Sequence, residues 1–130
     1  MRVGLDTSVV LRLLIGEPRD QAETAAEFLD SARRAGDQIV VDDLVVAEAY
    51  FALQHHYGVS KALALSSLAR MFQAGEIVSS GRAASVLSGS FGSKPGFVDR
   101  MIHALYTQND GEMVTFEKSA GKLTGVKLLK

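Results

Sequence analysis

Four acidic residues stand where a carboxylate could do chemistry: Asp6, Glu48, Asp99 and Glu117. Asp6 ends a short apolar segment that predicts a first strand, and Glu117 follows the segment EMVTF, which predicts a fourth strand. Sites in open α/β sheets form outside the carboxyl ends of the strands. The positions of Asp6 and Glu117 therefore favour a carboxylate site at one edge of a sheet.

Glu48 is unusual because of its neighbours. It lies in a predicted helix, and the residues three and four positions away are Leu44, Val45, Phe51 and Ala52. A carboxylate buried on such an apolar face requires a cation or a strong hydrogen-bond donor, because burial without a partner is costly. The alternative is that Glu48 lies at the edge of this face and reaches water.

Helix capping offers another explanation for two of the acids. Asp6, followed by Thr7 and Ser8, suits a helix start, where its carboxylate would accept from backbone N–H groups. Asp99 lies in the first turn of a predicted helix, where an acid stabilises the helix dipole by about 0.3–1 kcal/mol. For each residue taken alone, a role at a helix start and a role in a carboxylate site both stay open.

The four carboxylates taken together predict a cation site. Brought to one sheet edge they would repel one another, and Mg²⁺ or Mn²⁺ would relieve this because both prefer carboxylate oxygen and water ligands. Such ions promote phosphodiester hydrolysis by activating a water and by stabilising the leaving oxygen. Thiolate metal sites and disulfides are excluded, since the chain has no cysteine.

The elements that must position these residues alternate between strand and helix. The predicted strands are residues 3–6, QIVV, EIVS, EMVTF and an edge strand VKLL. The predicted helices are residues 7–15, RDQAETAAEFLDSARRAG, LVVAEAYFALQHHYG, KALALSSLARMFQAG, GRAASVLS and FVDRMIHALYTQND. Such alternation predicts an α/β fold with a central, mostly parallel sheet of four to five strands and helices on both faces. The length predicts one domain over residues 1–130.

Four segments carry a resemblance to a known family. The stretches LDTSVVLRLL, VAEAYFAL, GFVDRMIHAL and MVTFEKSA resemble, in order and rough spacing, the motifs of PIN-domain ribonucleases. The chain looks most like the single-domain VapC-like toxins of bacterial toxin–antitoxin pairs, and the resemblance covers nearly its whole length. It implies a PIN-like three-layer sandwich.

The resemblance also implies roles for the acids. Asp6, Glu48, Asp99 and Glu117 match the family's catalytic positions, with Asp6, Glu48 and Asp99 as the metal ligands. The family's fourth acid is usually Asp, so Glu117 is longer by one methylene. We therefore expect Glu117 to act through a water, because Mg²⁺ demands close, near-octahedral ligands.

Hydroxyl and basic residues near the acids complete the predicted site. The resemblance implies that Ser8 and Thr115 support the acids. Lys94, in the glycine-rich connector GSFGSKPG, and Lys118 are candidate contacts to RNA phosphates, since lysine commonly binds them. The alternative for Lys118 is a solvated basic face.

The implied function is that of a metal-dependent endoribonuclease using Mg²⁺ or Mn²⁺. Relatives of this kind commonly cut structured RNA, often transfer RNA, form homodimers and are blocked by a segment of a cognate antitoxin. The alternative is a non-catalytic PIN-like module that works by partner binding, which the change at Glu117 would favour.

Bulk composition limits the other function classes. A formal net charge of −1 argues against broad electrostatic adhesion to nucleic acid, although an acidic pocket with a local basic rim remains compatible with it. The sequence contains no run of about 18 apolar residues, so no membrane span is predicted. Asp6 and Arg12 interrupt the N-terminal apolar run, unlike in a signal peptide. A cytoplasmic location is the resulting prediction.

Overall fold

The structure is a computed structural model that describes residues 1–89 and 94–130. The chain divides into two compact units, Met1–Ala84 and Ser85–Lys130. Residues 90–93 of the predicted connector GSFGSKPG lie outside the described residues. No helix in the two described ranges combines the length and apolar character that crossing a membrane requires.

The first unit is built on a parallel sheet with strand order β1-β2-β3. Val3 pairs with Ile39, and Ile39 pairs with Ile77 on the other side, so β2 is central. Ile39 and Val41 of this strand are buried, as the apolar run QIVV predicts. The elements are β1 Arg2–Gly4, α1 Thr7–Ile15, α2 Arg19–Arg34, β2 Gln38–Val41, α3 Asp43–His55, α4 Lys61–Gln73 and β3 Ile77–Ser79; α5 Ala83–Ser88 spans the division between the units.

Local capping determines where the helices of this unit begin. The side chains of Asp6, Asp42 and Ser60 each accept a hydrogen bond from the backbone N–H three residues later, at the start of α1, α3 and α4 respectively. This contact satisfies one of the backbone donors that a helix start leaves without a partner. The predicted starts of α1 and α4 are therefore confirmed to the residue.

The second unit contains a pair of parallel strands, preceded by a helix. Met113 pairs with Val126 in parallel, and Leu129 N donates to Thr115 O at 2.8 Å just past the ladder. Phe97 and Met101 of α6 are buried. The elements are α6 Phe97–Thr107, a 3₁₀ turn Gln108–Asp110, β4 Met113–Thr115, a 3₁₀ helix Lys118–Lys122 and β5 Val126–Leu128.

The comparison with the sequence predictions confirms the α/β class and the parallel strands. The predicted single sheet of four to five strands is not seen: the described strands form a three-stranded sheet and a separate pair. Strands of three or four residues make few ladder hydrogen bonds, so apolar pattern alone does not determine which of them join. The first strand ends at Gly4 rather than Asp6, and Asp6 therefore lies in the turn that follows.

The two aspartates after β2 have different tasks. Asp42 caps its own helix through Val45 N at 3.0 Å. The carboxylate of Asp43 accepts from Arg82 N and Ala83 N, both at 2.9 Å, and so ties the turn after β3 to the start of α3. A Cβ at Gly81 would collide with this carboxylate. Asp43 thus joins the start of α3 to backbone donors that lie 39 and 40 residues later in the sequence.

We expect Asp43→Ala to lower the free energy of unfolding by about 2–3 kcal/mol, because it removes a charged acceptor from two half-buried backbone donors. The matched control is Asp42→Ala, which removes one cap and should cost about 1 kcal/mol. Urea unfolding of both variants measures the difference. A loss for Asp43→Ala no larger than that for Asp42→Ala would contradict the assignment.

Candidate active site

Asp6 lies in the turn between β1 and α1, where its carboxylate is exposed. Its Oδ1 accepts from Ser8 Oγ at 2.7 Å and from Val9 N at 3.3 Å. The Ser8 hydroxyl, followed by the Val9 N–H, lowers the pKa of Asp6 below its ordinary value, because both donors favour the charged form. Asp6 is therefore both a helix cap and an ionised, accessible carboxylate at neutral pH.

The capping contacts leave Asp6 able to bind a further group. The hydrogen bonds from Ser8 Oγ and Val9 N both go to Oδ1, and the carboxylate as a whole stays exposed. A short turn at the end of a strand also holds the carboxylate at a defined position outside the sheet. Capping and ligand binding are thus compatible roles for this one residue.

Glu48 lies on the exposed side of α3. The side chain reaches water, and its Oε1 accepts from Thr7 Oγ1 at 2.5 Å. Of its four apolar neighbours, Leu44 and Phe51 are exposed, at 78% and 47%, and the other two are half-buried. Of the two interpretations left open by the sequence, the edge position is the one observed. Buried side chains of α3, such as Val46 and Leu53, lie elsewhere around the helix.

The Thr7–Glu48 hydrogen bond is a feature that sequence reasoning missed. Thr7 was interpreted only as part of a helix start, whereas its hydroxyl orients a carboxylate 41 residues away. The contact forms because α1 and α3 pack side by side in the first unit. The only sequence signal for it is a hydroxyl directly beside Asp6, which by itself identifies no partner.

The second unit carries the other two acids. Asp99 is exposed in the first turn of α6. Glu117 is exposed just past β4, and its backbone N–H donates to Thr115 Oγ1 at 3.0 Å. Thr115 therefore shapes the turn that carries Glu117, through the backbone rather than through the carboxylate. Lys118 follows immediately and is exposed.

Lys94 is the first residue that the structure describes after residues 90–93, and it is exposed. Its backbone carbonyl and that of Pro95 accept from the guanidinium of Arg100, at 3.4 Å and 2.8 Å. Arg100 thereby holds this segment against the first turn of α6, close in sequence to Asp99. The position of Lys94 is compatible with a phosphate contact, which stays a prediction.

The structure thus places the predicted residues in two groups. Asp6 with Ser8, and Glu48 with Thr7, belong to the first unit, and Asp99 and Glu117 belong to the second. Among the described residues, no group of three or more His, Asp or Glu side chains forms a ready metal cluster. The convergence of the four acids on one cation stays a prediction.

The histidines are a further class of possible metal ligand in this chain. His55 is the last residue of α3 and His56 is its C-cap, in agreement with a position at the helix end. His103 Nε2 lies 2.6 Å from the carbonyl oxygen of Thr124, within the second unit. His55 and His56 thus lie at the end of α3, and His103 contacts the backbone just before β5.

The fold defines an α/β protein with an exposed carboxylate, Asp6, in the turn after its first strand. The family model for the PIN domain matches residues 3–125. The chain belongs to the PIN-domain family, whose members are generally metal-dependent nucleases. Neither a comparison with curated proteins nor one with solved structures gives a match. The PIN-like fold expected from the four motifs is confirmed.

We expect Ser8→Ala to raise the pKa of Asp6 toward its ordinary value, because the largest of the hydrogen bonds that lower this pKa, the one from the Ser8 hydroxyl, is lost. In the native protein this bond adds stability above the unfolded-state pKa, which is lost as pH falls through the lower folded-state pKa. NMR titration of the Asp6 carboxyl carbon in metal-free protein checks the shift. Ser66→Ala is the control, and an unchanged pKa in Ser8→Ala would refute the cause given.

Proposed function

We propose that this chain is a metal-dependent endoribonuclease that acts as the toxin of a toxin–antitoxin pair. The observation that carries the proposal is the exposed Asp6 carboxylate in the turn after β1, whose position and charged form are favoured by hydrogen bonds from Ser8 and Val9. Membership of the PIN-domain family supports nuclease chemistry over a purely structural role for this carboxylate. The substrate class proposed is RNA, including transfer RNA.

The donor types suit a hard divalent cation. Asp6, Glu48 and Asp99 would hold Mg²⁺ or Mn²⁺ through carboxylate oxygens. When bound, such an ion acts as a Lewis acid and lowers the pKa of a coordinated water. The three side chains are exposed, so each can reach a ligand without the cost of burying a charge.

The neighbouring residues orient these carboxylates. Ser8 donates to Asp6 and favours its charged form, and Thr7 donates to Glu48 and restricts its rotamers. Thr115 shapes the turn before Glu117, which we propose acts through a water. Lys118 and Lys94 are proposed to contact phosphates along the RNA.

The partners proposed are a second copy of the chain and a cognate antitoxin, in the cytoplasm. Support comes from α3 and α4, where Leu44 is 78% and Leu63 is 49% exposed. Large apolar side chains exposed on neighbouring helices favour association, since their burial removes apolar surface from water. An amphipathic antitoxin helix or a symmetry-related α3–α4 pair would satisfy the same surface.

We expect Asp6→Asn and Asp99→Asn each to reduce Mg²⁺- or Mn²⁺-dependent RNA cleavage by more than about 100-fold, beyond the effect usual for residues that only orient ligands. Circular dichroism should show an intact fold. Glu27→Gln, an exposed acid on α2, is the control and should keep wild-type cleavage. Wild-type cleavage rates in either Asp variant would refute the site. A wild-type chain that does not cleave RNA, with or without added Mg²⁺ or Mn²⁺, would favour the non-catalytic alternative.

Glu117 provides a graded test. Because a water can fill a shortened reach, Glu117→Asp should retain most activity, and Glu117→Gln should weaken cleavage less than Asp6→Asn does. The measurement is cleavage rate against Mg²⁺ and Mn²⁺ concentration for all three variants. A Glu117→Gln variant as inactive as Asp6→Asn, with no recovery at high metal, would make Glu117 a direct ligand.

A further inference from the structure

A groove of about 450 Å³ runs between α1 and α3, entirely within the first unit. Thr7 and Glu48 line one part of it, and Phe51, His55 and His56 line another. The volume is within the range of about 300–1,000 Å³ that is typical of small-ligand pockets. The groove therefore joins a candidate catalytic carboxylate to an aromatic surface.

The aromatic surface consists of Phe51 and His55, one helical turn apart. Their rings are near-parallel, with 6.3 Å between centroids and 20° between planes, which is an offset-stacked arrangement. Phe51 also contacts the ring of the buried Tyr50, at 5.3 Å and 59°. Phe51 is thus held from two sides although it is 47% exposed.

Two features of the groove distinguish it from an ordinary protein interface. It combines one carboxylate and two imidazoles with its aromatic ring, whereas interface centres are depleted of charged residues. Its exposed ring is also held in a defined orientation, as a stacking surface must be. These properties suit a flat, aromatic ligand with polar edges.

We propose that Phe51 and His55 form a stacking subsite for an unpaired base of an RNA substrate, with His56 at its polar edge. The inference rests on the proposed ribonuclease function and adds where one nucleotide binds. Exposed aromatic side chains are the usual platforms for unstacked bases in single-stranded RNA. Glu48 lies seven residues before His55, about 10 Å along the helix axis, so a base on this subsite would lie within about two helical turns of the carboxylate.

A consequence is selectivity for unpaired RNA. A base within a duplex is covered on both faces and cannot reach Phe51, whereas a loop or single strand can present one. The subsite therefore predicts that binding depends on strand state before any cleavage occurs.

The test measures RNA binding by the full chain with cleavage prevented by chelation of metal. The probes are single-stranded oligouridine and oligoadenosine of about eight nucleotides, and a duplex of the same length. Phe51→Ala should weaken single-strand binding by about 5–150-fold, from the usual stacking contribution of about 1–3 kcal/mol per base. Phe51→Trp should retain binding, and, since the chain has no other Trp, its fluorescence should be quenched by single-stranded RNA and not by duplex.

Phe28→Ala is the matched control, because Phe28 on α2 is 46% exposed and lies outside this groove. Unchanged binding in Phe51→Ala, or an equal loss in Phe28→Ala, would overturn the proposal. A shift from dimer to monomer in Phe51→Ala, seen by sedimentation, would also overturn it in favour of an interface between copies. A separate cleavage assay with metal distinguishes the two proposals. If the wild-type chain cleaves RNA but Phe51→Ala binds RNA normally, the subsite alone is refuted. If Phe51→Ala loses binding but the wild-type chain does not cleave RNA, the subsite is supported and the nuclease function is refuted.

Discussion

The parallel pairing of β1 with β2 is the constraint on which the first unit depends. The ladder ends with Leu5 N donating to Val40 O at 3.0 Å, and the chain then turns into α1. That turn brings Asp6 out of the sheet at a defined point and sets the start of α1. Because β2 ends beside it and leads into α3, the same pairing brings α1 and α3 together. The Thr7–Glu48 bond and the groove along α3 both follow from this adjacency.

Asp6 and Asp42 have the same local geometry at the start of a helix, but their hydrogen bonds differ. Each follows a strand, has an extended backbone and caps the helix after it. Asp6 differs because Ser8 adds a second, shorter hydrogen bond that favours the charged form of the carboxylate. A capping role therefore does not argue against a functional one. Both carboxylates are exposed, so the feature that distinguishes Asp6 from Asp42 is the added hydroxyl donor of Ser8.

The four candidate carboxylates keep their contact with water in the folded chain. Asp6, Glu48, Asp99 and Glu117 are all exposed, so the folded chain holds its acids in water. Glu48 illustrates the benefit: on a buried face it would require a compensating charge, whereas at the exposed side a single hydroxyl donor is sufficient to orient it. Each of these side chains therefore stays in water without the cost of burying a charge.

The sequence by itself determined the helices, their caps and the α/β class. These depend on contacts three or four residues apart, such as Ser60 with Leu63, which the local pattern of residues contains in full. It also identified Asp6 and Ser8, whose hydrogen bond spans two residues. Tertiary structure alone decided that Glu48 is exposed, that Thr7 is its donor and that Asp43 anchors the turn at Arg82. Those contacts join segments about forty residues apart, so they exist only once the helices have packed, and no local pattern encodes the partner.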